Sequence, residues 1–266
     1  MNIPKTIIQT YSNEKDLSLE MRAVIQDWKN KNKNYKHILF YDEDCVKFIK
    51  KHFNNDVLTA FNTIKPGAGK ADLFRYCYLY IKGGVYSDID NICIKPLDLW
   101  LKENDKFVSI LDYNRNNHPT CYMIHQSFIA CIPNHPFLKE AIKLATYNIL
   151  NQVTPINKRT KYLPVAITPL LKVTGPKLLA DAVNICLNRS LNTVFTIGNQ
   201  GDGFRLPAQL TYARRRFNQY QPRQGVIKSN SFNGVSEIFL TSKYEGYIQE
   251  KEKHWVYVPL YNKFTN

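Results

Sequence analysis

The sequence predicts an α/β protein, and three observations carry that reading. Short apolar β-type runs alternate with amphipathic stretches through the first part of the chain. Breaker residues punctuate them, with Gly83-Gly84 after one helical stretch and Pro176 at the opening of another. The chain has 266 residues, 44% hydrophobic and 22% charged, enough for one large core and unlike a disordered composition.

The elements follow in order. Lys5–Tyr11 (KTIIQTY) reads as a first buried strand. LSLEMRAVIQDWKNKN follows as a helix with Ser18 as its N-cap and Leu19, Val24, Ile25 and Trp28 on the apolar face. YKHILFYD is a second strand, and EDCVKFIKKHF a helix that turns Val46, Phe48 and Ile49 inward. FNTIKPGAGK has the Pro/Gly content of a loop. KADLFRYCYLYIKGG is a helix with Leu73, Tyr76, Cys77, Tyr80 and Ile81 on one side and a left-handed stop at the glycines. GVYSDID is a strand, NICIKPLDLWL leads into a short second one, and KFVSILD and SFIACIP are further strands. HPFLKEAIKLATYNIL and GPKLLADAVNICLN are helices, the second capped by Thr174 or Gly175, and NTVFTIG is a strand. The remainder is less regular. No repeat or linker divides the chain, so residues 1–266 are expected to form a single domain.

The formal charge is +14, which favours anionic partners: a nucleic acid, a phosphorylated small molecule or an anionic membrane surface. No helix-turn-helix, RRM or zinc-finger pattern supports nucleic acid. Six cysteines are scattered without C-x-x-C spacing, which suggests buried free thiols in a reducing compartment. No apolar stretch is long enough to span a membrane and the N-terminus lacks a signal-peptide pattern. The expected location is cytoplasmic, with peripheral contact to an anionic membrane left open.

Asp88 and Asp90 stand one residue apart at the predicted strand end. Carboxylates at i and i+2 of an extended chain share a side, and hard oxygen ligands suit Mg²⁺ or Mn²⁺ and bound phosphates. A D-x-D alone describes an acidic turn equally well, and Asp42-Glu43-Asp44 at a helix start has that character. What separates the second triplet is its context. Asp72 and Arg75 lie three apart on the preceding helix, which runs into Gly83-Gly84 and then Tyr86.

Ala71, Asp72, Arg75, Leu79, Gly83, Gly84, Tyr86, Asp88 and Asp90 together resemble the central motif of the DXD-containing sugar transferases. That family, glycosyltransferase family 32, includes Och1-like mannosyltransferases and capsular-polysaccharide transferases. The opening IPKTIIQTY is similar to the family's IPKIIHQ-x-W, with Gln9 kept, Ile8 in place of His and Tyr11 in place of Trp. HQSFIACIPNHPFLKEAI, with Gln126 where the family often has Asn, and VTGPKLLADAV extend the likeness.

The resemblance implies a GT-A fold and metal-dependent transfer from a nucleotide-sugar donor, a UDP- or GDP-sugar, to a glycan or other hydroxyl acceptor, with retention of configuration. It implies Mn²⁺ or Mg²⁺ on Asp90, with Asp88 and His254 as further ligands. Asp72, Arg75 and Asp88 would serve catalysis. Gln9, Tyr11, Gly83, Gly84, Tyr86 and Asp88 would form the donor site. No carboxylate is distinguished as a nucleophile, which points to same-face attack. Gly201-Asp202-Gly203 with Arg205 is a candidate loop over the diphosphate, and ARRRF (Ala213–Phe217) a candidate phosphate grip; an ordinary turn and a solvated basic face are the competing readings. Three rivals remain: a nucleic-acid-binding protein, a metal-dependent phosphohydrolase, and an inactive sugar-nucleotide-binding relative.

Overall fold

A computed structural model describes residues 2–112, 120–153, 167–212, 225–228 and 238–242 of the chain. It opens with β1 (Thr6–Tyr11), α1 (Leu19–Lys31), β2 (Lys36–Tyr41), α2 (Asp42–His52), α3 (Asn55–Thr63) and α4 (Gly67–Lys82). Then come β3 (Gly84–Ser87), β4 (Asn91–Cys93), β5 (Phe107–Leu111), β6 (Thr120–Cys121), β7 (Ile124–Cys131) and α5 (Pro136–Leu150). Last are α6 (Ile167–Val173), α7 (Pro176–Cys186), β8 (Phe195–Thr196), β9 (Gly198–Gly201), β10 (Phe204–Leu206), β11 (Gln209–Tyr212), β12 (Gly225–Lys228) and β13 (Ile238–Ser242).

The predicted α/β class holds. One mixed sheet runs in the order β2-β1-β3-β7-β5-β11-β12-β13-β4, with β10 also beside β5 and β9 beside β10. β2, β1 and β3 are parallel, and β7 is antiparallel to both β3 and β5. So the C-terminal ends of β1, β2, β3 and β5 share one edge of the sheet with the N-terminal end of β7. Successive residues point to opposite faces, and each face has its own core. Ile8 and Tyr86 join a large cluster with α2, α3, α4, α5 and α7, whereas Ile7 and Val85 pack with Trp28 of α1 and with Trp100. No helix among the described residues is long and apolar enough to cross a membrane. All six cysteines are free and five are buried.

Four expectations need correction. Within the predicted loop FNTIKPGAGK only Ile64–Pro66 separates two helices. Asn54 caps α3, accepting from the Val57 N–H at 3.3 Å, and α4 starts at Gly67 directly after Pro66. Leu19 is 81% exposed, and Met21 joins the predicted Ile25 and Trp28 as the buried side of α1. Val46 and Phe48 reach only the margin of the core, while Cys45 and Ile49 are fully inside. The strand predicted through Asp90 stops at Ser87, because the Asn91 N–H folds back onto the Asp88 carbonyl at 3.1 Å.

Gly83 and Gly84 make the helix-to-strand reversal possible. Gly83 has φ +63° and Gly84 φ +104°, and a Cβ on Gly84 would stand 2.7 Å from the Thr6 carbonyl oxygen. Gly84→Ala therefore combines left-handed strain with a backbone clash. It should cost about 2 kcal/mol or more, read as a lowered urea midpoint at unchanged m.

Candidate functional site

The motif spacing becomes a distance argument once the topology is known. Arg75 lies eight residues before Gly83, about 12 Å along a helix. Asp88 lies four residues beyond Gly84, about 13 Å along a strand. α4 and β3 run in opposite directions across the glycine turn, so the two lengths cancel and Asp72, Arg75 and Asp88 meet at the sheet edge.

There they form a buried charge chain. Arg75 is 3% exposed and Asp72 4%. Arg75 Nη2 lies 3.0 Å from Asp72 Oδ1 and 3.2 Å from Asp88 Oδ1. Its Nη1 donates to the Gln126 carbonyl at 2.5 Å and its Nε to the Ala71 carbonyl at 3.1 Å, while the guanidinium stacks on the Tyr86 ring at 4.2 Å. Burial opposes this charge, but Asp88, Tyr86 and Asp72 outweigh it and hold the guanidinium's pKa above its usual value. Asp72 takes a further bond from the Thr174 hydroxyl at 2.8 Å. Burial nevertheless drives the Asp72 carboxyl up to about 7 against the pull of Arg75 and Thr174.

The D-x-D turn is pinned from three sides. The Asp88 N–H donates to the Ser127 carbonyl at 2.8 Å, the Tyr86 hydroxyl to Asp88 Oδ1 at 2.8 Å, and Gln9 Nε2 to the Asp88 carbonyl at 3.2 Å. Gln9 in turn accepts from His37 at 2.8 Å, whose pKa burial and then Lys29 push down to about 4, keeping it neutral. Asn91 bridges Ser87 and the Ser127 carbonyl, and its own carbonyl accepts from Trp28 at 2.6 Å. Ile89 is buried against Met21 and Ile25, which anchors the middle of the turn. Asp88 keeps 33% of its side chain exposed. Burial, then repulsion by Asp88, pushes Asp90 up to about 7.

Two like charges held together at that cost are what a cation relieves. Among the described residues no three His, Cys, Asp or Glu side chains converge to hold a metal ion alone. Two carboxylates completed by phosphate oxygens and water nonetheless fit Mg²⁺ or Mn²⁺. His254 and the ARRRF run lie outside the described residues.

Several predicted site residues do other work. Gly83 caps the C-terminus of α4 and Gly84 starts β3, a strand's length from Asp88, so they shape the scaffold and do not line the site. Gln9 is fully buried and supports the turn from behind. Tyr11 is half-buried at the end of β1, its hydroxyl 3.2 Å from the Asp16 carbonyl, and Ile8 is a core residue. Gly201-Asp202-Gly203 is not a loop over this site. It turns β9 into β10 beside Phe107, at the opposite end of the sheet, where the Gly203 carbonyl accepts from Lys106 and Phe107. Arg205 is committed there to Asp105 and the Trp100 carbonyl.

Sequence reasoning missed Tyr76, whose hydroxyl sits between the Gln126 side chain and the Thr174 carbonyl. It missed Thr174 as a partner of Asp72, taking it for a cap. It also missed His37, and the Asp112–His125 pair at the ends of β5 and β7. Only Thr174 carried a sequence signal, its place in the T-G-P helix start.

Residues 18–108 match the family model of a glycosyltransferase sugar-binding region containing the DXD motif. The chain is 36% identical over 107 residues to the initiation-specific alpha-1,6-mannosyltransferase of Candida albicans, covering 38% of this chain and 28% of that protein. With the Schizosaccharomyces pombe protein of the same name it shares 27% over 202 residues, 70% of this chain and 49% of that protein. With mannosyl phosphorylinositol ceramide synthase SUR1 of Saccharomyces cerevisiae it shares 30% over 178 residues, 67% of this chain and 41% of that protein. The chain thus spans between about a quarter and a half of these relatives. Among solved structures, the PaToxG glycosyltransferase is similar at TM-score 0.49 and 16% identity, over 70% of this chain and 71% of that one.

Proposed function

We propose, from the match of residues 18–108 to a DXD-containing glycosyltransferase sugar-binding region, that the chain transfers a sugar from a nucleotide-sugar donor to a hydroxyl acceptor on a GT-A-type sheet. The observation that carries the reading is the buried Asp72–Arg75–Asp88 chain, which fixes a D-x-D turn at the carboxyl edge of parallel strands. Ligands bind at that edge in open α/β sheets.

Asp90 and Asp88 would hold Mn²⁺ or Mg²⁺, which when bound neutralises charge on the departing diphosphate. The chain's own part is positional. Arg75 and Tyr86 fix Asp88 Oδ1, Gln9 and Ser127 fix its backbone, Asp72 braces Arg75, and Asp88, a third of whose side chain is exposed, would hold a donor hydroxyl. Retention by same-face attack is favoured because the nearby carboxylates are poor nucleophiles. Asp72 is buried and held by Arg75 and Thr174, and Asp88 Oδ1 faces Arg75 and accepts from Tyr86. Trapping a glycosyl–enzyme adduct would overturn that route. The named mannosyltransferase relatives make a mannosyl donor the first to try, with UDP-sugars beside it.

The test is thermal shift with UDP and GDP, with and without Mn²⁺, followed by hydrolysis and transfer assays on a nucleotide-sugar panel. A Mn²⁺-dependent midpoint rise with one nucleotide, and turnover lost in Asp90→Ala, is the expected result. Nucleotide binding without any turnover would favour the inactive relative.

A further inference from the structure

β7 carries an irregularity beside the D-x-D turn that brings a second charged pair to the site. From Val108 to Ile110 on β5, the partner on β7 moves from Ala130 to His125, so two steps along one strand face five along the other. The Ser109 hydroxyl lies 2.9 Å from the His125 carbonyl and 3.0 Å from that of Phe128, closing the bulge from one flank. The Asp88 N–H, on the Ser127 carbonyl, holds it from the other. Bulges of this kind re-aim side chains next to active sites.

The residue at the mouth of the bulge is His125. Its Nδ1 faces Asp112 Oδ1 at 3.6 Å, and the two side chains keep 17% and 11% of their surface. Both lie at the edge that carries Asp88 and Asp90. His125 bears on the site through the strand it sits on, two residues before Ser127, whose carbonyl receives the Asp88 N–H at 2.8 Å. Arg75 is already shared among Asp72, Asp88 and two carbonyls. Three carboxylates therefore face one committed guanidinium, and a diphosphate would add anionic charge that grows as the sugar bond breaks.

Resting on the nucleotide-sugar reading above, we propose that His125 binds the donor diphosphate through its Nε2–H, with Asp112 orienting the ring. Nδ1 is turned to Asp112, so Nε2 is the nitrogen offered on the far side. Between a carboxylate and a phosphate both ring nitrogens are donors, so the bound state holds an imidazolium. The acids bearing on it are Asp112 just past the end of β5, Asp72 on α4 and Asp90 in the turn.

Calorimetry with UDP, GDP and pyrophosphate, each with Mn²⁺, tests this on wild type, His125→Gln and Asp112→Asn. The His125→Gln protein should bind whichever probes the wild type binds about tenfold or more weakly. Asp112→Asn should shift them the same way by less, and uridine and guanosine should be unaffected. A folded His125→Gln protein with wild-type affinity for the diphosphates overturns the proposal alone. Wild type that binds none of the three overturns the nucleotide-sugar reading and this one with it. Should His125→Gln fail to fold, Asp112→Asn decides: unchanged diphosphate affinity in that variant overturns the assignment.

Discussion

Asp90→Asn should abolish metal-dependent turnover, by about a hundredfold or more, while making the metal-free protein more stable. The two effects have one cause. Asp90 is held in a buried turn beside Asp88, and its pKa is pushed up to about 7. An unfolded aspartate titrates at about 4. The folded state therefore keeps a proton that the unfolded state releases, so this group's contribution is full below pH ~4 and is lost as the pH rises through 7. Asparagine carries no charge to bury. The variant's gain in midpoint over wild type should be small at pH 4.5 and largest near pH 8, by a few degrees (~1 kcal/mol is 2–4 °C at this size). Mn²⁺ with a nucleoside diphosphate should remove the difference by binding wild type alone. Equal midpoints at both pH values would mean that Asp90 is not strained in the absence of metal.

Arg75→Lys is expected to be the most damaging single substitution at the site, although it keeps the charge. An ammonium cannot reach Asp72, Asp88 and the Ala71 and Gln126 carbonyls at once, nor stack on Tyr86 as a plane does. Two buried acceptors and part of a buried ion pair lose their partner, a loss of about 3–5 kcal/mol. The melting midpoint should fall by about 10 °C, and remaining folded protein should show weakened diphosphate binding because Asp88 is no longer fixed. Asp72→Asn, which keeps a group able to accept from Thr174, should be milder. If Arg75→Lys melts with wild type, the guanidinium is not what organises the turn.

Much of the site was legible before any coordinates. The apolar patterns of KTIIQTY, YKHILFYD and HPFLKEAIKLATYNIL placed β1, β2 and α5 within a residue or so, because each run matches the burial its element meets. The failures were local. Residues Asn55–Thr63 form a helix because Asn54 caps it, and the Pro and Gly that read as a loop only separate two helices. Gly201–Gly203 reads as a ligand loop or as an ordinary turn alike, because composition does not report which end of a sheet a turn occupies, and the structure has the turn.

What this sequence determined by itself is the helix–glycine–strand unit from Asp72 to Asp90. Helical rise and strand rise over fixed residue counts bring its charged ends together without outside help. Only the tertiary structure decided what those charges do. Arg75 turned inward because Gln126, fifty-one residues on, offers a carbonyl through a bulge that no local pattern announces. Gln9 became a strut for the Asp88 carbonyl because β1 lies beside β3. His125 reached the D-x-D edge because β7 runs antiparallel between β3 and β5. Each of those contacts joins residues distant in the chain, and the free energy that fixes them comes from packing the whole sheet, which no stretch of sequence contains alone.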